Sequence, residues 1–376
     1  MSLAPCERMK SRDQQRFMRL CLQLAQRGKG TVSPNPLVGA LLVKGGHVVA
    51  RGYHRRFGGP HAEVECLRGF EGDISHATLF VNLEPCAHHG KTPPCTDLII
   101  KRGIKNVVVG MEDPNPLVDG KGIRRLRNAG VTVTTGVLED EARRLNQAFI
   151  TYVTERRPLV HLKIAQTLDG KIASHEHSYT QITGKESQAL VHRLRAEHDA
   201  ILVGAGTVRA DDPSLTVRFA KGKDPSAVVL DGRLSLGPGY RLWKTAPGRR
   251  IIILTAARAA RQRAKRVREF SSQGIEVVPV NTRNNRIPIR NVMRELYRKQ
   301  IASVLVEAGT DLVSQFATSG LVDMLSIFLA PKVFGSGVPA FEAGTSLKRF
   351  RISEGTLSVR AVGQDVLLQY DFSRRQ

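Results

Sequence analysis

Residues 84–95 read EPCAHHGKTPPC, and residues 60–64 read PHAEV. His61, Cys86 and Cys95 together offer one imidazole and two thiols. Three such ligands are what a catalytic zinc uses, with the fourth position left for water. Zinc held that way lowers the pKa of that water to about 7, which supplies hydroxide at neutral pH. Glu63 follows His61 by two residues. A carboxylate there can sit beside the water and carry its proton without ligating the metal. H-x-E followed by P-C-x-x-C is the pattern of zinc deaminases, with the glutamate as acid and base. Here eight residues, AHHGKTPP, separate the cysteines and must loop out. His88 and His89 are rival ligands in that loop. Taken alone, a His-x-Glu pair is an ordinary solvated helix start and a cysteine pair is ordinary core; the combination with EPC is not ordinary.

The elements around these residues alternate. Residues 12–28 have helical periodicity, with Phe17, Leu20, Cys21, Leu24 and Ala25 on one face. Residues 37–43 and 47–53 read as a hairpin around KGG. A short helix over 61–70 carries His61 and Glu63. A strand over 77–83 leads into Cys86, and a helix over 96–103 follows Cys95. A strand (106–111), a helix (122–130) and a strand (131–136) continue the rhythm, which defines an α/β layer domain. Residues 139–157 read as one long helix that Pro158 stops. A domain boundary is expected within 150–158, giving domains over 1–153 and 154–376.

The second half alternates again. Strands are expected at 159–165, 199–207, 226–232, 249–255, 275–280, 303–309 and 324–331, and helices near 184–196, 257–271, 289–299 and 311–319. KIAQTLDGKIA (163–173) reads as a strand, a turn at Asp169-Gly170 and a return. VGAGTVRADDPSLTVR (203–218) and VEAGTDLVSQF (306–316) each put glycine between a strand and a helix. Glycine there lets backbone approach a phosphate, and helix N-termini favour anions. Neither segment matches G-x-G-x-x-G, so a Rossmann domain is not indicated.

At 376 residues the chain is long enough for two cores. It has no apolar run of membrane-spanning length. The first residues, MSLAPCERMKSRDQQRF, have no apolar h-region, which gives a cytoplasmic expectation. Five cysteines are an odd number, so metal binding or burial is expected in place of a disulfide framework. Cys21 and Cys66 are expected in the core. The net charge of +23 favours polyanionic partners or phosphorylated substrates. The basic stretch 257–269 reads as the solvated face of a helix.

The whole pattern resembles one family, the bifunctional riboflavin-biosynthesis deaminase-reductases called RibD. The resemblance rests on the EPC-x-HHG-K-TPPC loop, on SPNPLVGALLV (33–43), GYH (52–54), PHAEV (60–64) and MEDPNPLVDGKG (111–122). It runs in order over nearly the whole chain. It implies a cytidine-deaminase-like α/β domain followed by a dihydrofolate-reductase-like α/β domain. In the first, His61, Cys86 and Cys95 would hold Zn2+ and Glu63 would shuttle the proton. Asn35, His54, His88 and Lys91 would meet the substrate; for Asn35 the plain alternative is a turn residue, and for Lys91 it is solvent. In the second, Ala165, Gln181, Thr207, Asp211 and Gly309 through Gln315 (Thr310, Asp311, Leu312, Val313, Ser314) would contact NADPH. Tyr179, Arg195, Leu215, Arg218 and Glu307 would line the substrate site, since arginine forks grip phosphate oxygens. Plain alternatives are a solvated helix face for Arg195 and a turn residue for Asp211. One departure stands out: Gln181 replaces a tryptophan common in the family, and the chain's single tryptophan is Trp243.

The implied activity is hydrolytic deamination of a diaminopyrimidinone ribosyl phosphate, then NADPH reduction of the ribosyl group. Self-association into a homo-oligomer is also implied. The rival class is a tRNA-acting zinc deaminase with a basic RNA-binding half. The charge favours it. The 5% aromatic content and the absent P-C-x-x-C spacing oppose it, so nucleic acid is not the expected partner. A third reading keeps one half active and treats the other as a relic.

Overall fold

The computed structural model describes residues 9–87, 93–116, 118–175, 180–284, 286–345, 350 and 352–372. The chain divides into two compact units, Met1–Arg156 and Arg157–Gln376.

The first unit opens with α1 (Ser11–Ala25). A hairpin follows, β1 (Gly39–Lys44) and β2 (His47–Tyr53). Next come α2 (Ala62–Leu67), β3 (Thr78–Leu83), α3 (Cys95–Lys101), β4 (Asn106–Met111), α4 (Lys121–Asn128) and β5 (Thr132–Thr134). The sheet order is β2-β1-β3-β4-β5, antiparallel across β2-β1-β3 and parallel across β3-β4-β5. Side chains alternate between the faces of a strand, and β1 has apolar residues on both. Ala40 and Leu42 pack with Cys66, Leu67 and Ile99, while Leu41 and Val43 pack with Phe17, Cys21 and Phe149. The sheet is therefore a middle layer with helices on both sides. Cys21 and Cys66 lie in these cores as expected.

The long helix expected over 139–157 is two helices, α5 (Glu139–Leu145) and α6 (Gln147–Glu155), joined at Asn146. The break has a cause. Asn146 is buried, and its carboxamide accepts from the Leu37 amide at 2.8 Å and donates to the Leu37 carbonyl at 3.0 Å. That pairing ties the joint to the segment entering β1.

The second unit contains β6 (Leu159–Thr167), β7 (Lys171–Ala173), α7 (Lys185–Glu197), β8 (Ala200–Gly204), α8 (Ala205–Asp211), β9 (Ser226–Leu230), β10 (Ile251–Ala256), α9 (Ala257–Gln262), α10 (Ala264–Ser272), β11 (Ile275–Val280), α11 (Ile289–Arg298), β12 (Ser303–Glu307), α12 (Thr310–Ser319), β13 (Met324–Ala330), β14 (Val338–Pro339), β15 (Thr356–Val362) and β16 (Asp365–Asp371). Its main sheet runs β11-β10-β9-β8-β12-β6-β13-β16-β15. Seven strands are parallel, and β16 and β15 close it antiparallel. One face packs Leu162, Val304 and Val306 against Val292 and Phe316, and the other packs Ile201 and Val203 near Trp243 and Phe270. Two differences from the sequence reading stand out. The expected helix 257–271 leaves helical geometry at Arg263 and becomes α9 and α10. The hairpin of β15 and β16 was not anticipated, because β15 is exposed along nearly all its length and carries no in-out alternation for a pattern to show.

Candidate functional site

In the first unit, β2 and α2 meet at Gly52. A Cβ there would lie 2.2 Å from the Cys66 amide nitrogen and 2.6 Å from the Ala62 carbonyl, so only glycine permits the approach. That contact fixes the start of α2, where His61 is the N-cap and Glu63 lies in the first turn. Cys86 leaves the end of β3 and Cys95 begins α3. The Cys95 amide donates to Cys86 Sγ at 3.4 Å, and the Thr96 hydroxyl donates to the Cys86 carbonyl at 3.2 Å.

These elements bring three ligand atoms together. His61 Nδ1 lies 3.3 Å from Cys95 Sγ and 3.5 Å from Cys86 Sγ. All three atoms fall within 4.8 Å of one another. One imidazole nitrogen and two sulfurs in that space form a donor set that fits zinc with a position left open. The hydrogen bond from the Cys95 thiol, then that from His61, brings Cys86 down to about 4 against its burial. Cys95, the donor of that pair, is pushed well up. Glu63 is 3% exposed, and burial raises its carboxyl above the usual range although His61 opposes this.

His54 and Asn35 form a second pair beside the first. The His54 Nδ1–H donates to the Pro60 carbonyl at 2.9 Å, which leaves Nε2 to accept from Asn35 Nδ2 at 3.1 Å. Burial lowers the His54 pKa, which favours this neutral tautomer. The His54 and His61 rings meet edge to face with centroids 5.8 Å apart. His88, His89 and Lys91 lie outside the described residues.

The segment 113–123 is held by Glu84, the glutamate of EPC. Its buried carboxylate accepts from the amides of Asp113 (3.1 Å), Gly120 (3.1 Å), Gly122 (2.8 Å) and Ile123 (3.2 Å). Asp113 is buried as well. Burial, aided by the Glu84 and Cys86 charges, raises its carboxyl to about 6. Sequence reasoning quoted this segment without assigning Asp113 a role. The signal was there: an acidic residue in a Pro- and Gly-rich segment directly after a buried strand.

The second unit holds a cavity of about 1360 Å3 at the C-terminal ends of the parallel strands. Of the expected residues, Ala165, Gln181, Arg195, Thr207, Asp211, Leu215, Arg218, Glu307, Gly309, Thr310, Asp311, Leu312 and Gln315 line it. Val313 and Ser314 have side chains turned elsewhere. Val313 packs in the core, and the Ser314 hydroxyl accepts from the Glu342 amide at 2.8 Å. Tyr179 lies outside the described residues.

Sequence reasoning missed two groups in this cavity, Lys163 and His192. Strand alternation could have flagged Lys163, since it sits mid-strand in β6, opposite in facing to Leu162 and Ile164. Arg195 forks onto Glu307, with Nε donating at 2.7 Å and Nη2 at 2.9 Å, while Lys163 Nζ stands 3.8 Å away. Burial alone would raise the Glu307 carboxyl, but Arg195 overrides it and brings it down to about 2. Burial lowers Lys163, with Glu307 opposing, and burial raises Asp211, with Lys163 opposing.

The two units define a metal-dependent deaminase fold joined to a nucleotide-cofactor reductase fold. Known proteins agree. Residues 11–111 match the cytidine and deoxycytidylate deaminase zinc-binding region, and residues 158–368 match the RibD C-terminal domain. Riboflavin biosynthesis protein RibD of Aquifex aeolicus is 41% identical over 353 residues, covering 94% of this chain and 96% of the relative. That of Escherichia coli is 36% identical over 371 residues, covering 94% of this chain and 97% of the relative. A Thermotoga maritima diaminohydroxyphosphoribosylaminopyrimidine deaminase/5-amino-6-(5-phosphoribosylamino)uracil reductase superposes with TM-score 0.85 at 39% identity, covering 96% of this chain and 99% of that one. The chain belongs to the RibD family.

Proposed function

We propose that this chain removes an amino group hydrolytically from a diaminopyrimidinone ribosyl phosphate in its first unit, and reduces the ribosyl group of the deaminated product in its second. As a RibD enzyme it is a bifunctional deaminase and reductase of riboflavin biosynthesis, with zinc and NADPH as cofactors. The observation that carries the reading is the convergence of His61, Cys86 and Cys95 beside the buried Glu63.

In the first unit His61, Cys86 and Cys95 hold the zinc. When bound, the metal supplies an acidified water as nucleophile. Glu63, buried beside these ligands, would hold a proton and move it between the attacking water and the departing amine. Asn35 spends its Nδ2 on His54, which leaves Oδ1 to accept from the amino and ring N–H groups of a pyrimidine. His88 and Lys91 complete the substrate contacts from the loop between the cysteines. Glu84 keeps the 113–123 segment, and with it Asp113, in place.

In the second unit NADPH supplies the reducing equivalent. Ala165, Gln181, Thr207, Asp211 and the segment Gly309–Gln315 place the cofactor, Val313 and Ser314 by fixing the first turns of α12 from the core side. Tyr179, Arg195, Leu215, Arg218 and Glu307 place the sugar phosphate. With Arg195 committed to Glu307, Arg218 is the one of these two arginines whose guanidinium has no ion pair among the described residues, and it is the fork left for phosphate. Domain limits near 153, work in the cytoplasm and assembly into a homo-oligomer belong to the same reading. Free cysteines ready for metal support a reducing compartment. The exposed outer strand β15, with Leu357 and Val359 in the open, is a sheet edge that a second copy can cover.

The test is sequential. The diaminopyrimidinone ribosyl phosphate should release ammonia with zinc-loaded enzyme alone, and NADPH oxidation should begin only after that release. NADPH oxidation on the undeaminated compound at the same rate would contradict the order.

A further inference from the structure

His192 has no part in the account so far, yet it is 4% exposed and lines the reductase cavity. It lies on α7, one turn before Arg195. Its Nδ1 accepts from the backbone amide of Arg218 at 2.9 Å. An imidazole that accepts at Nδ1 carries its proton on Nε2. That Nε2 has no hydrogen-bond partner among the described residues, so the N–H of a largely buried ring is left for the cavity. The Phe219 ring packs on the imidazole edge to face, centroids 4.7 Å apart, and fixes its rotation.

We propose that His192 positions Arg218 and donates its Nε2–H to the phosphate monoester of the reductase substrate. One ring thus performs two tasks: it pins the backbone that carries the free arginine and adds a directed donor beside it. The inference rests on the reading of this cavity as a sugar-phosphate site. The charges facing the ring are Arg195 from its own helix, Arg218 and Asp224 from the segment after α8, and Glu307 from β12. Burial first, then Arg195 and Arg218, pushes His192 down to about 4, with Glu307 and Asp224 opposing. The ring therefore stays a neutral acceptor at Nδ1 through the neutral range, and protonation would break the Arg218 tie.

The test uses the whole zinc-loaded chain, with the deaminated ribosylaminopyrimidine phosphate and the same compound after phosphatase treatment. In His192→Asn the side-chain oxygen can still accept the Arg218 amide, but the Nε2–H is gone. KM for the phosphorylated compound should rise roughly tenfold or more, as for a lost hydrogen bond to a charged group. KM for the dephosphorylated compound, kcat and NADPH protection against thermal unfolding should hold. His192→Gln, which places an amide N–H near the Nε2 position, should recover part of the phosphate preference. An unchanged KM in His192→Asn, or an equal rise for both compounds, would overturn the proposal. A wild-type enzyme with no preference for the phosphorylated compound would instead overturn the sugar-phosphate reading beneath it.

Discussion

The zinc site and the reductase cavity are built in opposite ways. The candidate zinc site draws its three ligands from the ends of three elements: His61 at the start of α2, Cys86 after β3 and Cys95 at the start of α3. The reductase cavity draws on the C-terminal ends of β6, β8, β9 and β12 and on the helices that follow them. Metal coordination demands particular side chains within a few ångströms, so it writes itself into sequence as a compact motif. A large cofactor is bound by many small contacts, several of them backbone, which leave little residue-type signature. The first region stands or falls with single residues. The second should yield gradually, residue by residue.

Substitutions can break that contrast, and the largest effect belongs to the first region. Glu63→Gln should keep zinc but lower ammonia release by about 10^2–10^4-fold, the usual weight of a positioned acid-base group. Metal analysis beside an ammonia assay checks both halves, and NADPH oxidation on the deaminated compound should be untouched. Ammonia release near the wild-type rate would remove Glu63 from the chemistry.

In the second region the strongest response is expected at Glu307. Glu307→Gln leaves Arg195 buried without its counter-charge, and breaking such a pair costs about 3–5 kcal/mol. The pH dependence follows from the depressed carboxyl. A group held near 2 in the folded state, against 4.5 in the unfolded one, contributes stability that is complete above pH 4.5 and is lost as pH falls toward 2. Urea midpoints of the wild type should fall through that window, and those of Glu307→Gln should be lower and flatter. Identical pH profiles would contradict the ion-pair account.

The legibility of the two regions follows the same contrast. In the first unit the strand and helix rhythm, the hairpin and the three residues that the fold brings together could all be read, because β1, β3 and β4 are buried apolar blocks. The break at Asn146 could not. A single buried carboxamide paired with Leu37, 109 residues away, overrides a helical pattern that is locally continuous. In the second unit the parallel strands were visible as Val- and Ile-rich blocks. The role of Arg195 was not: its spacing on α7 fits a solvated face as well as a buried fork, and only Glu307 on β12 decides between them. The inward turn of Val313 and Ser314 was likewise hidden, since which residues of a first helical turn face a cavity depends on how the helix is docked.

The smallest expected effect is at Gln181, which lines the cavity at the position where the family resemblance implies a tryptophan. Gln181→Trp should tighten NADPH binding by about two- to tenfold, the weight of one aromatic contact. Cofactor titration by fluorescence would show it, and weaker binding would mean that the cavity is already closed around glutamine.

The central claim is that one chain carries two separate chemistries, the first resting on three ligands. Cys95→Ala tests it most directly. Wild-type protein should hold about one zinc per chain. The variant should lose that zinc and its ammonia release while still oxidising NADPH on the deaminated compound. Full zinc retention with undiminished ammonia release would contradict the account.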